Sequence, residues 1–209
     1  MAADRTVVII DYGAGNLHSV TNAVKKLGYT PEITSNSENV LKARAVILPG
    51  VGAAGEAMKN LKKAGLVLPI RQIIKEGRPF FGVCLGLQLL LDGTEENGGQ
   101  ECLGIIPGKV KKLPDGLKTP HMGWNQVRQL GPSPLFTGIP DKANFYFVHS
   151  YYAEPEEKSV VVGETDYGIT MCSIMAQGDL LAAQFHPEKS GEIGLKMYDN
   201  FLKLAVKRD

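Results

Sequence analysis

Phe80-Phe81-Gly82-Val83-Cys84-Leu85-Gly86-Leu87-Gln88-Leu89-Leu90-Leu91 is the stretch that decides how the chain is read. It predicts a buried strand, a sharp turn at Cys84, and a buried helix that is apolar on every side except at Gln88. Glycines stand two residues before and two after the cysteine, the thiol form of a nucleophile elbow. A nucleophile at such a bend holds a strained backbone conformation, and a side chain at either flanking position would crowd the main chain. The bend also sets sulfur at a helix start, where thiolate is favoured over thiol. Gln88, four residues on, shares the helix face with Cys84 and is a candidate substrate contact. A packed core cysteine fits the same local pattern equally well.

A second stretch separates the two readings. Leu180-Leu181-Ala182-Ala183-Gln184-Phe185 predicts a buried strand that ends in His186-Pro187-Glu188. Proline holds the preceding residue extended, and in an extended chain residues i and i+2 point the same way. His186 and Glu188 therefore project together from a strand end. A histidine base oriented by a carboxylate, with a cysteine at an elbow elsewhere, is the nucleophile, base and orienter of covalent catalysis. His-x-Glu alone reads as a solvated surface pair; with the elbow it reads as a site.

With these residues the chain resembles the class I glutamine amidotransferases, whose elbow cysteine and His-Pro-Glu segment match Cys84, His186 and Glu188. Within them it is similar to the glutaminase subunits of imidazole glycerol phosphate synthase. That likeness rests on Asp11-Tyr12-Gly13-Ala14-Gly15-Asn16, Pro49-Gly50-Val51-Gly52, His121-Met122-Gly123-Trp124-Asn125 and Phe147-Val148-His149-Ser150-Tyr151. It covers essentially the whole chain. It implies an α/β fold of three layers, a mixed central sheet flanked by helices with a smaller antiparallel β extension, as a single domain over residues 1–209. It further implies L-glutamine as substrate and a separate (β/α)8 cyclase subunit as the heterodimer partner that uses the ammonia in histidine biosynthesis. Residues implied at the substrate are Gly50, Gly52, Gln88, Glu96, His149, Ser150 and Tyr151. Glu95 beside Glu96 leaves open which of the two meets the substrate ammonium. Asn16, Met122, Trp124 and Tyr146 are implied at the subunit interface.

Composition narrows the remaining classes. At 209 residues the chain can bury roughly 70% of its unfolded surface without disulfide or metal support. A net charge of +1 gives no electrostatic basis for binding nucleic acid or an anionic membrane. No apolar run reaches membrane-spanning length, and Met1-Ala2-Ala3-Asp4 leads into a strand rather than a signal peptide, which reads as cytoplasmic. Three cysteines, Cys84, Cys102 and Cys172, lack framework spacing and fit a reducing compartment; the last two read as structural. Four histidines without i, i+4 pairing argue against a metal site, and no cofactor is expected.

Along the chain, 6–10 predicts a buried strand and 17–27 a helix stopped by Gly28, with Asn16 as its cap. Gly13-Ala14-Gly15 lacks the third glycine and the acidic residue of a dinucleotide loop and reads as a tight turn. A strand at 45–48 leads to Pro49-Gly50-Val51-Gly52, where flanking glycines let the Val51 peptide reorient. That suits an oxyanion hole, whose donors by resemblance are the N–H groups of Val51 and Leu85. The same resemblance implies that this peptide rests turned away and that the partner turns it. Helices follow at 53–63 and 69–77, then the elbow. Beyond 106 the chain becomes short β segments at 110–113, 125–129, 144–152, 160–164 and 169–176, with a hairpin turn at Gln177-Gly178-Asp179 and a closing helix at 193–206. His121-Met122-Gly123-Trp124-Asn125 reads as turn-like, and His149 as a binding or orienting residue rather than the base.

Two rival functions remain at this stage. A glutaminase feeding another synthase, such as the one making pyridoxal phosphate, would lack His-Met-Gly-Trp-Asn. A non-catalytic binding protein would have no need of Cys84, His186 and Glu188 together.

Overall fold

Runs of unbroken apolar residues build the parallel strands, because both faces of such a sheet are covered. The computed structural model describes residues 5–206, so the Met1-Ala2-Ala3-Asp4 reading lies outside the described residues. Four parallel strands, β1 (Thr6–Ile10), β2 (Thr30–Thr34), β3 (Val46–Gly50) and β4 (Phe80–Cys84), are joined through helices α1 (Leu17–Lys26), α2 (Ser37–Lys42), α3 (Ala54–Lys63) and α4 (Val67–Lys75). Strand alternation then sorts the side chains. Val7, Ile9, Ile47, Phe81 and Val83 pack with α1 and the C-terminal helix. Val8, Ile10, Val46, Leu48 and Phe80 pack on the other face with α2, α3 and α4.

After β4 comes a single helical turn, α5 (Leu85–Gln88), and then the short strands β5 (Gly93–Thr94) and β6 (Gln100–Glu101). The remaining strands are β7 (Gly108–Lys112), β8 (His121–Gln129), β9 (Ala143–His149), β10 (Tyr151–Pro155), β11 (Val161–Asp166), β12 (Thr170–Gln177) and β13 (Leu180–Ala183). Helix α6 (Gly191–Val206) closes the described chain. The large sheet runs β2-β1-β3-β4-β13-β12-β11-β8-β9, and a small one runs β10-β7-β5-β6. The expected antiparallel extension takes two forms. Strands β12, β11, β8 and β9 continue the large sheet in antiparallel pairing, while the small sheet is mixed, since β5 pairs parallel to β7.

Several local features depart from the sequence reading. The turn-like stretch from His121 is the start of strand β8, paired residue by residue with β9 from His121↔His149 to Val127↔Ala143. The elbow helix ends after one turn, at Gln88, and does not continue through Leu91. The carbonyls of Leu89, Leu90 and Leu91 accept from the backbone amides of residues 103–106 instead of the next helical turn. Asn16 makes no capping bond. Strand β2 and helix α2 have no counterpart among the expected elements; β2 is an edge strand carrying Pro31 and Glu32, so its apolar signal is weak. Among the described residues, no helix is long and apolar enough to cross a membrane.

The antiparallel half curls back on the parallel half. The His186 amide donates to the Tyr146 carbonyl at 2.9 Å, and the Phe145 and Phe185 rings stack at 4.1 Å. The end of β9 thus arrives beside the carboxyl ends of β3, β4 and β13, where parallel α/β sheets place ligands.

Candidate active site

The elbow is built by the absence of side chains. Cys84 has φ 55° and ψ −109°, a conformation a residue with a Cβ adopts only under constraint. A Cβ on Gly86 would stand 2.0 Å from the Leu48 carbonyl oxygen, and one on Gly82 would stand 2.8 Å from the Gly86 oxygen. Gly50 is held to the same standard. Its Cβ would lie 2.6 Å from that of Leu85, so the 49–52 segment packs directly on the elbow. Gly52 meets no such obstacle but has φ +93°, so it supplies conformation rather than clearance.

Cys84 opens on a cavity of about 320 Å³. Val51, Gly52, Leu85, Gln88, Glu96, His149, Ser150, Tyr151 and His186 all line it, so nearly every residue expected at the substrate shares one space. Gly50 does not line it and acts through packing. Glu188 stands behind His186, its Oε1 2.8 Å from Nδ1, with both side chains almost fully buried. Nδ1 therefore donates to the carboxylate and Nε2 is left for the sulfur. Nε2 is buried without a hydrogen bond of ordinary geometry, yet it is coupled to Cys84 electrostatically. Burial opposes a charge on this imidazole. The sulfur and Glu188 on its two sides outweigh burial and push its pKa up to about 10.

The Glu188 carboxylate also accepts from Asn16 Nδ2 and from the Tyr198 hydroxyl, each at 3.4 Å. Tyr198 remains a phenol donor, its pKa held well above normal by burial and by Glu188. Asn16, read from sequence as a cap and interface residue, is thus tied to the Glu188 carboxylate.

The choice between Glu95 and Glu96 falls on geometry. Glu96 lines the cavity, its Oε2 accepting from the Ala54 amide at 2.7 Å and so capping α3, which has no cap of its own. Glu95 turns toward the small sheet, near the Lys112 amide. His149 donates from Nδ1 to the Tyr151 carbonyl and meets His121 Nδ1 through Nε2, both at 2.9 Å. The carbonyl can only accept, which fixes the tautomers of both rings. Burial drives the pKa of each down to about 4, so neither serves as a base at neutral pH.

Cys102 and Cys172 are buried thiols, their pKa values pushed by burial up to about 11 and 12. Neither faces the cavity. Among the described residues, no three His, Cys, Asp or Glu side chains gather as a metal site.

Gln184 is the site residue that the sequence reading passed over. It is fully buried, and its Nε2 lies 3.8 Å from Cys84 Sγ. The i, i+2 rule that joined His186 to Glu188 also reaches back to residue 184.

Met122 and Trp124 are 61% and 58% exposed on the outer face of β8, and Trp124 meets the Tyr146 ring edge-on at 6.1 Å.

The sequence model of the class I glutamine amidotransferases matches residues 8–205. The chain belongs to that family. Among curated relatives of this amidotransferase, the imidazole glycerol phosphate synthase subunit HisH of Dehalococcoides mccartyi (strain CBDB1) is 51% identical over 96% of this chain and 98% of its own. The subunit of the same name from Moorella thermoacetica is 51% identical over 96% of both chains. Among solved structures, PurLQS from Thermotoga maritima contains a chain that superposes with a TM-score of 0.77 at 16% identity, covering 96% of this chain and 98% of that one. A structure described as a glutamine amidotransferase gives 0.73 at 23% identity, covering 95% and 98%. At such identities these two structures speak for the fold alone.

Proposed function

We propose that this amidotransferase is the glutaminase subunit of an imidazole glycerol phosphate synthase, working in histidine biosynthesis. The observation that carries the chemistry is the meeting of Cys84 and His186 at one cavity of about 320 Å³, with Glu188 held behind the imidazole at 2.8 Å. The high-identity relatives named as synthase subunits support the biological setting.

His186 Nε2 takes the proton of the Cys84 thiol, and Glu188 beside Nδ1 stabilises the imidazolium that forms. Thiolate attacks the side-chain carboxamide carbon of L-glutamine, and the oxyanion is received by the N–H groups of Val51 and Leu85. As the C–N bond breaks, His186 gives its proton to the leaving nitrogen, and ammonia departs. Neutral His186 then takes a proton from water, hydroxide adds to the γ-glutamyl thioester, and glutamate leaves as thiolate and imidazolium are restored. Glu188 keeps the imidazole in the tautomer this sequence requires. Glu96, Gln88, Ser150 and Tyr151 hold the amino-acid end.

Ammonia passes to a (β/α)8 cyclase subunit docked over Asn16, Met122, Trp124 and Tyr146. The Val51 peptide, between two glycines, rests turned away until the cyclase and its acceptor favour the productive arrangement; one oxyanion donor is worth about a hundred- to thousandfold in rate.

The test is co-purification with a candidate cyclase and a glutamine-dependent synthase assay. Glutaminase turnover is followed for the chain alone, with cyclase, and with cyclase plus an acceptor analogue. A rise mainly in kcat at the last step is expected. Full activity in the isolated chain would refute the switch, and release of ammonia without synthase product would refute the partner.

A further inference from the structure

We propose that Gln184 is a positioning residue of the thiol site, orienting the Gln88 amide and presenting its own N–H to the Cys84 sulfur. The inference rests on the glutaminase reading only for the statement that this sulfur reacts.

The orientation of both amides follows from one fixed acceptor. Gln88 Nε2 lies 2.8 Å from the Tyr151 carbonyl oxygen and 3.1 Å from Gln184 Oε1. A backbone carbonyl can only accept, so the nitrogen of Gln88 must face it; turned the other way, two oxygens would meet. The second N–H of Gln88 then needs an acceptor, which places the oxygen of Gln184 toward Gln88. The nitrogen of Gln184 is left facing Cys84 Sγ at 3.8 Å. Neither side chain can flip alone. Gln184 is 0% exposed, so no water competes for these bonds.

Two consequences follow for the site. Both donors of Gln88 are committed, so what it offers the cavity is an acceptor, suited to an N–H group on the substrate. An N–H aimed at sulfur stabilises the anion over the thiol. The other titratable groups around the sulfur are His186 with Glu188 behind it from the chain after β13, Tyr12 from the end of β1, and His149 from β9. Of these, His186 favours the thiolate. Gln184 acts from a separate direction, as a neutral donor whose effect does not change with pH.

The test measures carbamidomethylation of Cys84 by iodoacetamide as a function of pH, with the modified peptide read by mass spectrometry. It requires no glutamine turnover, so its outcome stands apart from that of the glutaminase assay. Gln184→Met keeps the volume and removes the donor. Its alkylation midpoint is expected to lie about one to two pH units above that of the unmutated chain. The KM for glutamine should rise as well, because the Gln88 amide is released. An unchanged midpoint in folded Gln184→Met would overturn the assignment. A variant-free measurement guards against misfolding: in the unmutated chain, the side-chain amide resonance of Gln184 should move with the titration of Cys84. A resonance that stays still through that titration would equally overturn it.

Discussion

In the parallel half of the large sheet the site is made by leaving side chains out, and in the antiparallel half by displaying them. Gly50, Gly82 and Gly86 bring β3, β4 and α5 into backbone contact, and a Cβ at any of the three would stand under 3.0 Å from a neighbour. On β8 and the loop after it, Gly123 and Gly131 have nothing within 4 Å, while Met122 and Trp124 project outward. Chemistry at the elbow demands fixed positions, so it is set in the part of the fold with no slack. Strands β8 and β9 keep a free face, the kind of accessible area that recognition of a partner demands.

The comparison breaks most readily at the cysteines. If the parallel half holds the reaction, Cys84→Ala should lower glutamine hydrolysis by about four orders of magnitude or more. Cys172→Ala, in β12 of the antiparallel half, should stay active, as should Cys102→Ala; glutamate release checks all three. Ammonia-dependent synthesis by the partner should survive Cys84→Ala.

A smaller gap separates base from orienter. Removing the orienter misplaces a proton carrier without deleting it, so Glu188→Gln should retain about tenfold to a hundredfold more kcat than His186→Ala. The reverse order in folded variants would mean the roles are exchanged.

Stability gives the most direct contrast between the halves. Gly86→Ala places a methyl group on the Leu48 carbonyl and should cost about 3 kcal/mol or more in urea unfolding. Gly131→Ala meets open space and should stay within about 1 kcal/mol. Equal costs would erase the distinction between the two halves.

Acid probes the antiparallel half by itself. His121 and His149 are held down to about 4, whereas an unfolded histidine titrates near 6.5. Between those values the unfolded chain binds more protons, so stability falls as pH drops from about 6.5 toward 4. A loss on the order of 1–3 kcal/mol between pH 7 and pH 5 is expected, and His121→Phe/His149→Leu should lose that part of the slope. An unchanged slope in the double variant would show that the pair is not its source.

What could be read in advance was what neighbours in sequence dictate. Gly82, Cys84 and Gly86 describe one bend, and His186-Pro187-Glu188 one strand end, so both sides of the candidate site were legible. The elbow helix was read too long because its later carbonyls are claimed by residues 103–106, a competition invisible in a local window. His121-Met122-Gly123-Trp124-Asn125 was read as a turn because its strand character comes from pairing with β9. Asn16 reads from sequence as a helix cap and an interface residue; its amide caps nothing and finds a carboxylate 172 residues away. Gln184 went unremarked since its meaning depends on Gln88 and a carbonyl at Tyr151, and only the fold brings these together.

Strand β4 lies between β3 and β13 and pairs with both, but β13 begins at Leu180. On the ribosome, therefore, the cysteine strand emerges with one edge already paired and the other still a bare row of amides and carbonyls. The residues that touch the sulfur from that side follow a hundred positions later. Such long-range pairing makes for slow folding, and it also orders events during synthesis. Until translation has passed Glu188, Cys84 lacks His186, Glu188 and Gln184, the side chains that stand around its sulfur in the folded chain. The cysteine is synthesised early and its surroundings arrive late.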